Sequence, residues 1–284
     1  MVNGFLYTLC MACQVCKSNE ALHYKTIDGV PIYRCLLCEL AFVDPKTPRK
    51  TTTNIYSFIA YQKRENQFIK RYTNTVHLIS KFIHGKKILE VGAGFGLLSS
   101  LLHRAGYDVD VLEPDVDTVY LKGLSVKVFK TYLEEYANVT STKYDAIILY
   151  DVLEHVDFPV ETVKLFEKLL LKNGIVFIQT PNYQSLMAQI VRNWSWWMVE
   201  DHRFFFSKKS LGLLFERKNW KKLFYKSTEE WTDFKKNLDG NFRSKISKLF
   251  LLSIFIPLYF LFRGVIWQIG YGGLHMAIWQ YNKR

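Results

Sequence analysis

Lys86-Lys87-Ile88-Leu89-Glu90-Val91-Gly92-Ala93-Gly94-Phe95-Gly96 is the stretch that decides the fold. Its apolar run, Ile88 to Val91, reads as a buried strand. The glycines then let the backbone turn sharply and approach a ligand with no Cβ in the way. Leu97 to Ala105 follows with helical spacing and stops at Gly106. A strand, a glycine-rich turn and a helix form the opening unit of a doubly wound α/β sheet.

A second strand, Asp108 to Leu112, ends at Glu113, 23 residues after Glu90. A carboxylate at that tip is placed to accept the ribose hydroxyls of a nucleoside. The glycine spacing departs from the dinucleotide pattern G-x-G-x-x-G, because the third glycine falls at Gly96 and position 97 is Leu97. Glu90 faces the same loop, where its charge opposes a pyrophosphate and suits a cationic amino group. These features favour S-adenosylmethionine over a nicotinamide dinucleotide.

Further along come Val111-Leu112-Glu113-Pro114-Asp115, then Tyr144-Asp145-Ala146-Ile147-Ile148-Leu149-Tyr150-Asp151-Val152-Leu153-Glu154-His155-Val156, then Leu171-Lys172-Asn173-Gly174-Ile175-Val176-Phe177-Ile178-Gln179-Thr180-Pro181-Asn182. With the glycine loop, this ordered set resembles the class I S-adenosylmethionine-dependent methyltransferases over about residues 86 to 216. The nearest branch is the one with ubiquinone-type O-methyltransferases and many sugar and glycan methyltransferases. The resemblance implies a seven-stranded, mostly parallel sheet. It also implies that Glu90, Gly92, Gly94 and Gly96 line the methionine end of the cofactor and that Glu113 holds the ribose. Leu133 and Glu134 fall in the segment beside the adenine, and Asp151 under the methionine moiety. For Leu133 an ordinary core position, and for Glu134 a solvated helix start, are equally open.

Methyl transfer from a sulfonium needs an aligned acceptor and, for a hydroxyl, removal of its proton. The candidate bases are His155, in the loop after the fourth strand, and His202, in Glu200-Asp201-His202-Arg203-Phe204-Phe205-Phe206-Ser207. Glu154 beside His155 can orient an imidazole, and both residues can equally hold the loop together. Ser207 reads as a helix N-cap. Trp194, Trp196, Trp197 and Met198 form core, an aromatic wall around an acceptor, or a contact with a membrane interface.

All five cysteines lie in the first 38 residues. Cys13-x-x-Cys16 and Cys35-x-x-Cys38 match a four-thiolate tetrahedral zinc site, with Ala21 to Lys25 and Val30 to Arg34 as a hairpin turned at Asp28-Gly29. Cys10 is the spare. Four protein ligands leave no open position, so the zinc is expected to be structural. The ribbon lacks a dense basic and aromatic face, which argues against nucleic acid.

Hydrophobic residues at 49% and charged residues at 23% exclude a disordered chain. The net charge of +12 is scattered and selects no partner. The N-terminus lacks a signal-peptide pattern, so a cytoplasmic location is expected, at the inner face of the membrane if the C-terminal segment meets lipid. That segment, Leu249 to Phe262, holds 14 uncharged residues broken by Pro257, and Arg263 and a second apolar stretch to Ile269 follow. A span needs about 20 apolar residues, so the segment reads as a buried lid or as peripheral membrane contact through 249–269.

The expected organisation is a zinc ribbon over 1–48, a helical connector over 49–85 with its helix near Tyr56 to Phe82, and a methyltransferase domain over 86–284. An apolar insertion lies at about 245–270. The expected acceptor is a small or lipid-linked molecule, with a sugar or glycan ranked before a quinone. A non-catalytic ribbon protein on the same scaffold is the rival, and the presence of Glu113 and the glycines disfavours it.

Overall fold

The computed structural model describes residues 12–49, 57–216, 219–242, 244 and 251–282. Tyr56 and Leu249 to Phe250, parts of two expected elements, lie outside them.

Seven strands form one sheet in the order β10-β11-β8-β7-β4-β5-β6. They are β4 (Lys87–Val91), β5 (Asp108–Leu112), β6 (Lys127–Phe129), β7 (Tyr144–Tyr150), β8 (Leu170–Pro181), β10 (Trp220–Thr228) and β11 (Leu274–Tyr281). β4 pairs in parallel with β5 and β7, and β5 with β6. Ile88, Leu89 and Val91 are buried, as are Ala146 to Leu149 on β7, which is the continuous burial of central parallel strands covered on both faces. Helices α3 (Leu97–Arg104), α4 (Leu133–Val139) and α5 (Pro159–Leu169) connect these strands.

Two aspartates of this sheet tie its strands together. Asp145 of β7 accepts the backbone N–H groups of Lys86 and Lys87 at 2.9 Å each, fixing where β4 starts. Asp110 of β5 accepts from the Tyr144 hydroxyl at 2.9 Å and pairs with Lys87 Nζ at 3.4 Å. The connector is two helices, α1 (Phe58–Gln62) and α2 (Glu65–Ser80).

A second sheet, order β1-β2-β3-β9, carries the cysteines. β1 (Ala21–Ile27) and β2 (Val30–Cys35) form the expected antiparallel hairpin. Asp28 at φ 48° and Gly29 at φ 79° supply the two left-handed residues of a tight two-residue turn. β3 (Ala41–Val43) pairs with β2 and, on its other side, with β9 (Phe204–Phe205). A hydrophobic core of Ile32, Ala41, Val43, Tyr183, Trp197 and Phe205 underlies this sheet. Trp194 and Trp197 are buried, whereas Trp196 and Met198 are half-buried. Ser207 Oγ accepts the Ser210 N–H at 3.0 Å, so the expected N-cap opens α7 (Lys208–Phe215).

The chain divides into two compact units, one of residues 1–50, 179–214 and 224–277, the other of 51–178, 215–223 and 278–284. The first holds the cysteines, α6 (Leu186–Ile190), α8 (Trp231–Asn241) and α9 (Ile256–Gln268); the second holds the glycine loop and α1 to α5. The expected break at Pro257 is a change of helix type: Leu251–Phe255 form a π-helical turn that runs directly into α9. Pro257 sits in the first turn of α9, where its fixed φ suits the helix.

Candidate functional site

Gly92, Gly94 and Gly96 take φ of 70°, 55° and 84°, a region where side chains are strained. A Cβ at Gly92 would lie 2.6 Å from Val152 Cγ2, and one at Gly96 2.6 Å from Leu121 Cγ. At Gly94 a Cβ would meet nothing within 4 Å. Two of the glycines therefore serve packing, and Gly94 borders open space. Gly96 is also the N-cap of α3.

Two buried carboxyls flank this loop. Glu90, on β4, accepts the Ser99 hydroxyl from the first turn of α3. Burial pushes its carboxyl up to about 8, against the opposing hydrogen bond from Ser99. The expectation of a charged Glu90 is thus sharpened: the group is mostly protonated near neutrality until a cation neutralises it. Glu113, after β5, accepts from Gly94 N–H at 2.6 Å through Oε2, and from Asp115 and Val116 N–H at 3.1 and 3.0 Å through Oε1. A carboxylate offers about four acceptor positions. Three are taken by the loop and the turn, which leaves room for one further hydroxyl.

Leu133 is buried and Glu134 exposed in the first turn of α4, beside an exposed Tyr132 whose hydroxyl donates to Asp115 at 3.3 Å. Asp151, the residue after β7, takes φ 56°, a left-handed conformation that costs a non-glycine residue about 1–2 kcal/mol. It pairs with Arg71 of α2 at 3.6 Å, and the Arg71 guanidinium lies 4.8 Å from the centre of the Tyr150 ring. Phe58 and Tyr61 of α1 pack edge-on against Phe95 of the glycine loop, at 5.1 and 5.0 Å. Arg71, Phe58 and Tyr61 escaped the sequence reading. Their only signal is that they lie on the connector helices, with no motif to mark them.

His155 is half-buried, in a turn where its N–H donates to Val152 O at 2.9 Å, and Glu154 beside it is buried. His202 belongs to the other unit. Its ring stacks on Trp196, and Nδ1 lies 3.1 Å from Trp196 O. A carbonyl only accepts, so Nδ1 carries the proton and the basic lone pair is on Nε2. His275 differs: Nε2 donates to Phe206 O at 3.2 Å and Nδ1 accepts from Tyr225 OH at 2.9 Å. Burial pushes it down to about 4, so it is a neutral structural link.

The sulfur atoms of Cys13, Cys16, Cys35 and Cys38 all lie within 4.8 Å of one another, with Cys13–Cys38 at 3.4 Å and Cys16–Cys35 at 3.5 Å. Four thiolates around a tetrahedral zinc stand about 3.8 Å apart, from Zn–S near 2.3 Å. The donor set fits that ion. In the same unit a polar cleft of about 380 Å³ is lined by Tyr24, Arg34, Glu39, Tyr183, Gln184 and Gln189. Gln184 Nε2 donates to Glu39 Oε2 at 2.8 Å, the Tyr183 hydroxyl to Glu39 O at 2.5 Å, and Arg34 pairs with Glu39 at 3.7 Å.

Comparison with known proteins agrees with this architecture. The chain is similar to the ubiquinone biosynthesis O-methyltransferases of Pectobacterium atrosepticum, 32% identical over 107 residues, and Bordetella avium, 34% identical over 107 residues. Each match covers 35% of this chain and 44% of the relative, so the chain spans less than half the length of the curated relatives it matches. Its fold is similar to that of a SAM-dependent methyltransferase from Archaeoglobus fulgidus, with TM-score 0.53, 20% identity, and coverage of 80% of this chain and 99% of that one. The plantazolicin methyltransferase BamL is similar at TM-score 0.51 and 14% identity, over 79% of this chain and 90% of that one. A family profile described as a methyltransferase domain matches residues 61–223, more than half of the sequence, and the chain belongs to that methyltransferase family.

Proposed function

We propose that this chain is a class I S-adenosylmethionine-dependent methyltransferase with a structural zinc held by Cys13, Cys16, Cys35 and Cys38. The observation that carries the reading is the loop of left-handed glycines between two buried carboxyls, Glu90 and Glu113, at the ends of adjacent parallel strands. When bound, the cofactor supplies a methyl group activated by its sulfonium. Glu90 gives up its proton and holds a cationic amino group; Glu113 takes one ribose hydroxyl through its remaining acceptor position. Leu133 packs beside the adenine, Glu134 stays in solvent at the helix start, and Asp151, fixed by Arg71, lies under the methionine moiety. His155 and His202 are the candidate bases for a hydroxyl acceptor. The tautomer set by Trp196 O gives His202 the form a base needs.

For the acceptor we favour a sugar or lipid-linked glycan. The support is the polar cleft, where tyrosine faces stand beside an arginine, a carboxylate and two amides, a donor and acceptor set suited to hydroxyl groups. The ubiquinone-pathway relatives favour a second reading, a quinone-like O-acceptor. Calorimetric titration tests the core claim: S-adenosylmethionine should bind the purified chain and NAD should not. No heat with millimolar S-adenosylmethionine refutes it. For the acceptor, Tyr24→Ala should raise KM for a sugar acceptor and leave S-adenosylmethionine affinity unchanged; an unchanged KM removes the cleft from the site.

A further inference from the structure

We propose that the outer face of α9 is a membrane-interface surface that seats on anionic phospholipid and inserts to the acyl boundary without crossing. This does not depend on the methyl-transfer reading. The helix has 13 residues, about 20 Å at 1.5 Å per residue, against a hydrocarbon core of about 30 Å. Among the described residues no helix is long and apolar enough to cross a membrane.

Five exposed apolar side chains form a stripe along α9, with Phe260, Arg263 and Gln268 exposed off it. Leu258, Leu261, Phe262, Val265 and Ile269 recur at helical spacing and are 49, 73, 52, 58 and 57% exposed. The opposite side holds the helix to its own unit: Tyr259 is buried and stacks on Phe234 of α8 at 4.3 Å, and Ile266 packs on the core. A soluble face would place charges along such a stripe, and here none occurs.

Charge identifies the occupant. From Gly240 to Arg284 the sequence contains no aspartate or glutamate, while Arg243, Lys245, Lys248, Arg263, Lys283 and Arg284 are cationic. A second copy would bring no acidic group from this stretch of sequence to oppose them. Anionic headgroups would neutralise them. Away from the stripe the helix mixes cations with aromatic rings, as lipid interfaces do: Arg263 lies 4.9 Å over Phe260 and 5.7 Å over Trp267, Lys226 lies 5.7 Å over Trp267, and Trp231 packs on Phe260 at 5.4 Å. Such side chains keep apolar stems in the boundary and polar ends at the headgroups.

Co-sedimentation of the full chain with vesicles tests this. Phosphatidylcholine vesicles containing about 30% phosphatidylglycerol should pellet the protein, and phosphatidylcholine alone should retain much less. Leu261→Asp combined with Val265→Asp should weaken the pelleting roughly tenfold or more. Both positions are exposed, so the fold should persist, and unchanged far-ultraviolet circular dichroism checks this. Pelleting unaffected by the double substitution overturns the proposal. So does lipid-free self-association in light scattering that the same substitutions abolish, because the face would then be a contact between copies.

Discussion

The unit with the glycine loop and the unit with the cysteine ribbon obtain their sites in opposite ways. Around the loop, backbone geometry and two buried carboxyls come from a run of 24 residues, Glu90 to Glu113. In the ribbon unit the polar cleft joins Tyr24, Arg34 and Glu39 to Tyr183, Gln184 and Gln189, which lie more than 140 positions away in the sequence. The first site needs local conformation, so single glycines should matter most there. The second needs a platform held by the cysteines, so loss of the zinc proposed for them should matter most.

The largest effect should come from the cysteines. Cys35→Ser should abolish zinc stoichiometry by atomic absorption and remove amide protection across β1, β2, β3 and β9. Structural zinc contributes an apparent ~10–16 kcal/mol in small modules, as large as a whole domain's margin of about 5–15 kcal/mol. If the ribbon keeps its protection without metal, its stability comes from the aromatic core instead. Next, Gly96→Ala combines a left-handed φ with a Cβ 2.6 Å from Leu121. It should cost about 2–4 kcal/mol in urea unfolding. Gly94→Ala, with open space around it, should cost only about 1–2 kcal/mol yet reduce cofactor binding. Equal stability losses at the two positions would undo the distinction between packing and ligand glycines.

Glu113→Ala should weaken S-adenosylmethionine binding by roughly 1.5–3 kcal/mol, with added loss if Gly94 shifts once its acceptor is gone. Glu90 sets a pH dependence. Its carboxyl at about 8 must lose a proton to hold an ammonium, so affinity should rise with pH by up to about tenfold per unit and level off near that value. Glu90→Gln should weaken binding and flatten this rise. Stability has the opposite trend: the folded chain binds this proton more tightly than the unfolded one. The contribution is therefore fully present below 4.5 and is lost as pH rises toward about 8. The smallest effect belongs to the cleft: Arg34→Gln breaks a half-exposed pair with Glu39 and should change stability by less than about 1 kcal/mol.

Legibility followed the same division. The glycine loop, both carboxyls, the hairpin and the four thiols were all readable, because each depends on short spacing that physics restricts to few conformations. Arg71 was not, since a helix surface leaves its partner unspecified until Asp151 takes a left-handed turn toward it. Glu90 was read as charged because sequence shows a residue type and not the burial that raises its proton affinity. The cleft was invisible because its two halves meet only after β3 pairs with β9. The helical character of the apolar segment was legible, and Pro257 marked the point where a π-helical turn gives way to regular α-helix.

That pairing bears on the order of synthesis. β3 pairs Ala41 with Phe205 and Phe42 with Phe204, so the ribbon's edge lacks its native neighbour until more than 160 further residues have left the ribosome. Until then an open strand with apolar side chains is available to other nascent chains. Early metal capture by the four cysteines, all within the first 38 residues, would fix the hairpin during that wait. With the proposed zinc, the ion would act as much on the growing chain as on the finished fold, and zinc-starved cells should lose the protein to aggregation during translation.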